Sequence, residues 1–137
     1  MRIESVKVFV EKADDGIYWG TTQNLPGVVS AFGSSLEELK ENLKTAVNDY
    51  VETAEAQQED WINKMKPIEK YEFKMNIASF FYLMPQVKIS AIAKKANINP
   101  SLMRQYATGK AAVSEERLKV IQKTIHTLGK ELQSVSF

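Results

Sequence analysis

The chain has no cysteine in its 137 residues. Disulfides and thiolate metal sites are therefore excluded. There is one histidine, His126, so no multi-histidine metal cluster can form. His126 lies among polar neighbours in a predicted helix, and a surface position is expected for it. No N-terminal apolar run resembles a signal peptide, and no apolar stretch is long enough to span a bilayer. A cytoplasmic protein with no membrane partner and no cofactor is the expectation. There is no internal repeat and no low-complexity segment.

What is present is unevenly distributed. The net charge of +1 hides a split. Residues 1–66 hold 7 Lys/Arg against 12 Asp/Glu, and residues 67–137 hold 11 against 5. The first part should repel nucleic acid and attract a basic partner. The second should attract phosphate.

The N-terminal part reads as strands. Val6, Val8 and Val10 alternate with Ser5, Lys7 and Phe9, which predicts a strand from Ile3 to Glu11. Asp14, Asp15 and Gly16 have hairpin-turn chemistry. A second strand runs from Ile17 to Gln23, with Ile17, Trp19 and Thr21 on one side. Asn24-Leu25-Pro26-Gly27 is a turn, and Val28 to Phe32 is a third strand. Short connections make these three an antiparallel meander.

Ser35-Leu36-Glu37-Glu38 is a capping box. It opens a helix whose apolar face carries Leu36, Leu39, Leu43, Val47, Tyr50, Val51 and Ala54. Glu37, Glu41, Asp49 and Glu52 make the opposite face acidic. The helix fades through residues 55–60, and Pro67 forbids much continuation. Tyr71 to Met75 alternates like a fourth strand. Asn76 can cap a helix from Ile77 to Met84, which Pro85 interrupts.

Residues 89–110 carry the sharpest signal. Ile89, Ile92, Ala93 and Ala96 form one apolar stripe, and Ala93 is small enough for a close helix crossing. Asn97 stands where a turn needs positive φ, which Asn tolerates. Ile98 should point inward. Asn99 is a good N-cap and Pro100 suits the first helical position. Leu102, Met103 and Tyr106 can pack inward, leaving Ser101, Arg104, Gln105 and Thr108 outward. Gly109 stops the helix, and Lys110 can meet a phosphate. An ordinary helical hairpin would share part of this pattern. With every element in register, the pattern predicts a helix-turn-helix that reads operator DNA. Its DNA-binding set is Asn99, Ser101, Arg104, Gln105, Thr108 and Lys110. Ser114 caps a last helix in which Leu118, Ile121, Ile125, Leu128 and Leu132 follow a 3-4 spacing. Core packing and a dimer seam both fit that stripe.

Tyr18-Trp19-Gly20, Asn24-Leu25-Pro26-Gly27 and Ser35-Leu36-Glu37-Glu38, in this order of elements, resemble the HicB antitoxin family. The family places Asp before its Leu-Pro-Gly; Asn24 stands there instead. The resemblance implies an α+β chain. Residues 1–75 would be a truncated RNase H-like domain that binds the toxin. Residues 76–137 would be an all-α, lambda-repressor-like helix-turn-helix domain of the XRE type, which binds DNA and dimerises. It also implies a partner, the small basic mRNA-cleaving toxin HicA, and repression of the operon encoding both. An exposed Tyr18 together with Glu37 and Glu41 are the expected toxin contacts.

The RNase H likeness raises a rival, a metal-dependent nuclease. Such chemistry needs several carboxylates converging on two Mg²⁺ ions. The candidates are Glu4, Glu11, Asp14, Asp15 and the helix acids. Asp14 and Asp15 belong to a turn, and the helix acids project away from the sheet. The expectation is therefore that the chain is not an enzyme. A stand-alone regulator with a ligand-sensing N-terminal domain is the remaining alternative.

Overall fold

The computed structural model describes residues 3–13 and 15–137. The chain is α+β and divides into two compact units, residues 1–76 and 77–137.

In the first unit, β1 (Ile3–Lys12), β2 (Tyr18–Thr22) and β3 (Ser30–Gly33) form the expected antiparallel meander. Asp15 closes the first hairpin by accepting a hydrogen bond from the Ile17 amide at 3.0 Å. Gly16 supplies the left-handed residue at φ 83°. Asp14 lies outside the described residues.

Helix α1 (Leu36–Ala56) starts where the cap chemistry predicts. The Ser35 hydroxyl accepts from the Glu38 amide at 3.1 Å. The reciprocal bond of the capping box goes one residue astray. The Glu38 carboxylate accepts from the Ser34 hydroxyl at 2.7 Å and, at 3.4 Å, from the Ser34 amide.

Leu39, Leu43 and Val47 of α1 are fully buried with Val6, Val8 and Val10 of β1. Each such side chain contributes about 1.5–3 kcal/mol by leaving water. The tight approach of helix to sheet demands glycine at position 33. A Cβ there would lie 2.6 Å from the Leu39 amide nitrogen.

A short 3-10 segment, Asp60–Lys64, leads into β4 (Met65–Met75). This strand begins six residues before the alternation of Tyr71–Met75 suggests. Pro67 hides that start, because a residue without an amide hydrogen reads as a breaker. It falls where the β1–β4 register shifts, between the pairs Ile3–Met65 and Ser5–Lys70, and on an edge strand, both of which tolerate proline. The sheet order is β3-β2-β1-β4, with β4 parallel to β1. Lys40 and Lys44 of α1 lie over the Phe73 and Tyr71 rings at 5.1 and 5.7 Å. The other edge is blunted by Asn42, whose amide donates to the Phe32 carbonyl at 2.8 Å.

The second unit is helical: α2 (Ile77–Leu83), α3 (Ile89–Ala96), α4 (Pro100–Ala107) and α5 (Glu115–Gln133). Its core gathers Phe81, Ile92, Ala93, Ala96, Ile98, Met103, Tyr106 and Ile121. On α5 only Ile121 is fully buried; Ile125 and Leu128 are half-buried, while Leu118 and Leu132 are exposed. The core thus uses the middle of the α5 stripe and leaves its ends in solvent.

Candidate functional site

The α3–α4 corner is built as its residues predict. Asn97 adopts φ 57°, ψ 44°. This lets the Ile98 amide reach back to the Ala93 carbonyl at 2.9 Å and the Asn97 amide to the Lys94 carbonyl at 3.3 Å. Ile98 is thereby turned into the core, and Ala93 has no exposed surface. The Asn99 side-chain oxygen then accepts from the Ser101 amide at 2.8 Å, with Pro100 as the first helical residue. Met103 and Tyr106 bury the inner face of α4, and the Tyr106 hydroxyl accepts from the Arg117 guanidinium at 3.3 Å. Gly109 ends the helix at φ 77°, and the Lys110 amide closes onto the Gln105 carbonyl at 2.9 Å.

All six residues expected to face DNA are exposed. Ser101, Arg104, Gln105 and Thr108 share one helix face by their 3-4-7 spacing. They are not equally free. The Asn99 oxygen is committed to its cap. The Thr108 hydroxyl donates back to the Arg104 carbonyl at 2.9 Å. Arg104 also lines a cleft of about 380 Å³ with Phe81, Val87, Lys88 and Ser90. Lys88 is the N-cap position of α3 and makes no side-chain cap bond. Two cations thus flank a helix start whose amides point outward, a combination that suits an anion. His126 is exposed, as its polar neighbours suggest.

The surface of the first unit differs from expectation at one residue. Tyr18 is 1 % exposed and belongs to the core, so it cannot be the exposed aromatic contact. The reason lies next to it, at Gly20. A Cβ on Gly20 would approach Val8 and Leu39 to 3.1 and 3.2 Å. Gly20 therefore faces the helix, and strand alternation sends Tyr18 and Thr22 the same way. Trp19 is sent outward. It meets Phe32 across the β2–β3 ladder with ring centroids 5.1 Å apart, and both rings are about half exposed. Sequence reading missed this pair. The signal available was the small residue between Trp19 and Thr21, which marks the crowded side of the strand. Glu37 and Glu41 are exposed one turn apart on α1.

Asn24 has a structural task. Its side-chain oxygen accepts from the Lys7 amide at 2.8 Å and its amide donates to the Ser5 carbonyl at 2.7 Å. Glu4, Glu11 and Asp15 are exposed. Among the described residues, no group of three His, Cys, Asp or Glu side chains could hold a metal ion. Among the same residues, no helix is long and apolar enough to cross a membrane.

A meander sheet carrying one acidic helix, joined to a compact helical unit, matches a known family over residues 6–118. The family is described as "HicB_like antitoxin of bacterial toxin-antitoxin system". The chain belongs to this HicB-like antitoxin family, whose role is antitoxin and whose general partner is a toxin. Comparison with curated proteins and with solved structures finds no match.

Proposed function

We propose that this chain is the antitoxin of a HicA/HicB-type pair and works by binding, without catalysis. Residues 1–76, read as a truncated RNase H-like domain, cover a basic mRNA-cleaving toxin. Residues 77–137, read as a helix-turn-helix domain, bind the operator and repress the operon. The observation that carries the DNA half is the single exposed face of Ser101, Arg104, Gln105 and Thr108 on α4, held by a left-handed Asn97 turn. Gln105 is the free base-reading amide on that face. Arg104 lines one cleft with Lys88 and Ser90, which supports a contact to a phosphate at the start of α3 or to a guanine edge. Lys110 serves the backbone.

One helix-turn-helix makes few base contacts, and a two-fold dimer doubles them. The surface available for that dimer is the exposed ends of the α5 stripe, Leu118 and Leu132, which share one helix face. For the toxin half, the acidic face with Glu37 and Glu41 steers a basic partner, which raises on-rate more than affinity.

Two measurements test this reading. Footprinting with the full chain should protect a palindromic site upstream of its own gene; an unprotected upstream region removes the repressor role. Co-expression with the toxin encoded beside it should restore growth; a folded chain that neither binds that toxin nor restores growth removes the antitoxin role.

A further inference from the structure

At the C-terminal end of α1 the first unit builds a cleft of about 270 Å³. Tyr50 and Thr53 line it from the helix, Gln57 from the helix C-cap, Glu59 and Trp61 from beyond it, and Gly27 from the Leu-Pro-Gly turn. The Tyr50 and Trp61 rings stack, with centroids 5.4 Å apart and planes 17° from parallel. The turn comes so close that a Cβ on Gly27 would lie 2.7 Å from the Tyr50 hydroxyl. Glycine therefore sets the width of the cleft on that side.

The end of α1 places the carboxylate. Gln58 adopts φ 55°. The Gln58 amide closes onto the Glu55 carbonyl at 3.1 Å and the Glu59 amide onto the Ala54 carbonyl at 3.0 Å. This left-handed closure folds the chain back over the last helical turn and brings Glu59 to the wall. The last turn of α1 carries no basic residue. The negative end of the helix dipole is thus left without a neutralising side chain.

These features select a ligand chemistry. An anion would meet Glu59 and the negative helix end. A purely apolar side chain would fill the ring wall and desolvate Glu59 without pairing it. A planar cation satisfies both walls: its face stacks on the aromatic pair and its edge donates to the carboxylate. Guanidinium does this better than ammonium, which has no flat face. We propose that the cleft receives an arginine side chain from a basic protein partner and anchors it there. That the partner is the toxin rests on the antitoxin reading above. The cleft supplies what a steering acidic face lacks, a desolvated contact at which binding energy concentrates.

The test uses the full chain and two probes, acetyl-Gly-Arg-Gly-amide and its citrulline counterpart, followed by NMR at the Trp61 indole N–H and the Gly27 amide. The arginine peptide should shift both signals saturably and the citrulline peptide should not. Glu59→Gln, an exposed change that leaves the core intact, should weaken the arginine peptide about fivefold. Trp61→Leu should abolish binding. Equal responses to the two peptides, or shifts that avoid positions 27 and 61, overturn the proposal. A second arm measures binding of the adjacent toxin. Glu59→Gln and Trp61→Leu should each speed its dissociation at least tenfold. Toxin binding unchanged in both variants also overturns the proposal. If the wild-type chain binds no toxin while Trp61 still responds to arginine alone, the cleft stands and the antitoxin reading falls.

Discussion

Asn24 clasps the backbone of β1 on both sides of Val6: its amide donates to the Ser5 carbonyl at 2.7 Å and its oxygen accepts from the Lys7 amide at 2.8 Å. The pairing of β1 with β2 begins at Val8 and Thr22. The side chain therefore continues a ladder that the main chain abandons on entering the Leu-Pro-Gly turn. Only a group with both a donor and an acceptor can do this. The residue where the family carries Asp is here a backbone substitute, which separates it from any carboxylate chemistry.

Asn24→Asp keeps the acceptor and loses the donor. An ionised carboxylate would then face the Ser5 carbonyl in a half-buried site. Urea unfolding at pH 7 should show a loss of about 1–3 kcal/mol. The loss should shrink below about pH 4, where a protonated acid regains a donor. A pH-independent loss would assign the cost to something other than this hydrogen bond.

Gln58 and Asn97 are the described non-glycine residues at positive φ. Gln pays more for the left-handed region than Asn does. Gln58→Gly should raise the stability of the first unit by about 0.5–1 kcal/mol, after the added entropy of the unfolded chain is counted. Asn97→Gly should gain less in the second. Thermal melts of the two variants give the ranking directly.

Both tryptophans, Trp19 and Trp61, lie in the first unit. Tryptophan fluorescence therefore follows that unit, while far-ultraviolet circular dichroism follows both. Met103 is fully buried at the centre of the second unit, and Met103→Ala should cost it about 2–5 kcal/mol. The expected result is early loss of helical signal with an unmoved fluorescence transition. Coincident shifts of both signals would show that the units unfold together.

The outward residues of α4 should separate by role. Lys110→Ala should weaken all DNA sequences alike and reduce the salt slope by about 0.9. Gln105→Ala should change sequence preference, and Arg104→Ala should cost about 1–3 kcal/mol if it makes a base contact. Thr108→Val should change affinity little, because its hydroxyl is already spent on the Arg104 carbonyl. Binding titrations on an operator and on scrambled DNA, at several salt concentrations, distinguish these outcomes.

Burial raises the Tyr71 phenol above its ordinary value. The folded state favours the neutral form, so the shift contributes stability in full below the unfolded pKa. That contribution is lost as pH rises through the higher folded value. Wild type should therefore lose stability relative to Tyr71→Phe only above about pH 10. A difference between the two that does not vary with alkaline pH would remove Tyr71 from the alkaline response.

Local chemistry determined much of this protein from the sequence alone. Caps and breakers act within one turn, so Ser35, Asn99, Ser114, Asn97 and Gly109 could be placed on their elements before any packing was known. Periodicity likewise marked Val6, Val8, Val10, Leu39, Leu43 and Val47 as core. What depended on contact across the chain was not legible. The face taken by Tyr18 was decided by how closely Leu39 approaches Gly20. The early start of β4 was decided by its pairing with β1 across a register shift, on a sheet edge, where Pro67 is excused. The cleft at Tyr50 and Trp61 required the Leu-Pro-Gly turn, some thirty residues away, to fold against the end of α1. Side-chain direction in a strand alternates whichever way the strand is turned; only the partner packed against it says which face is inside.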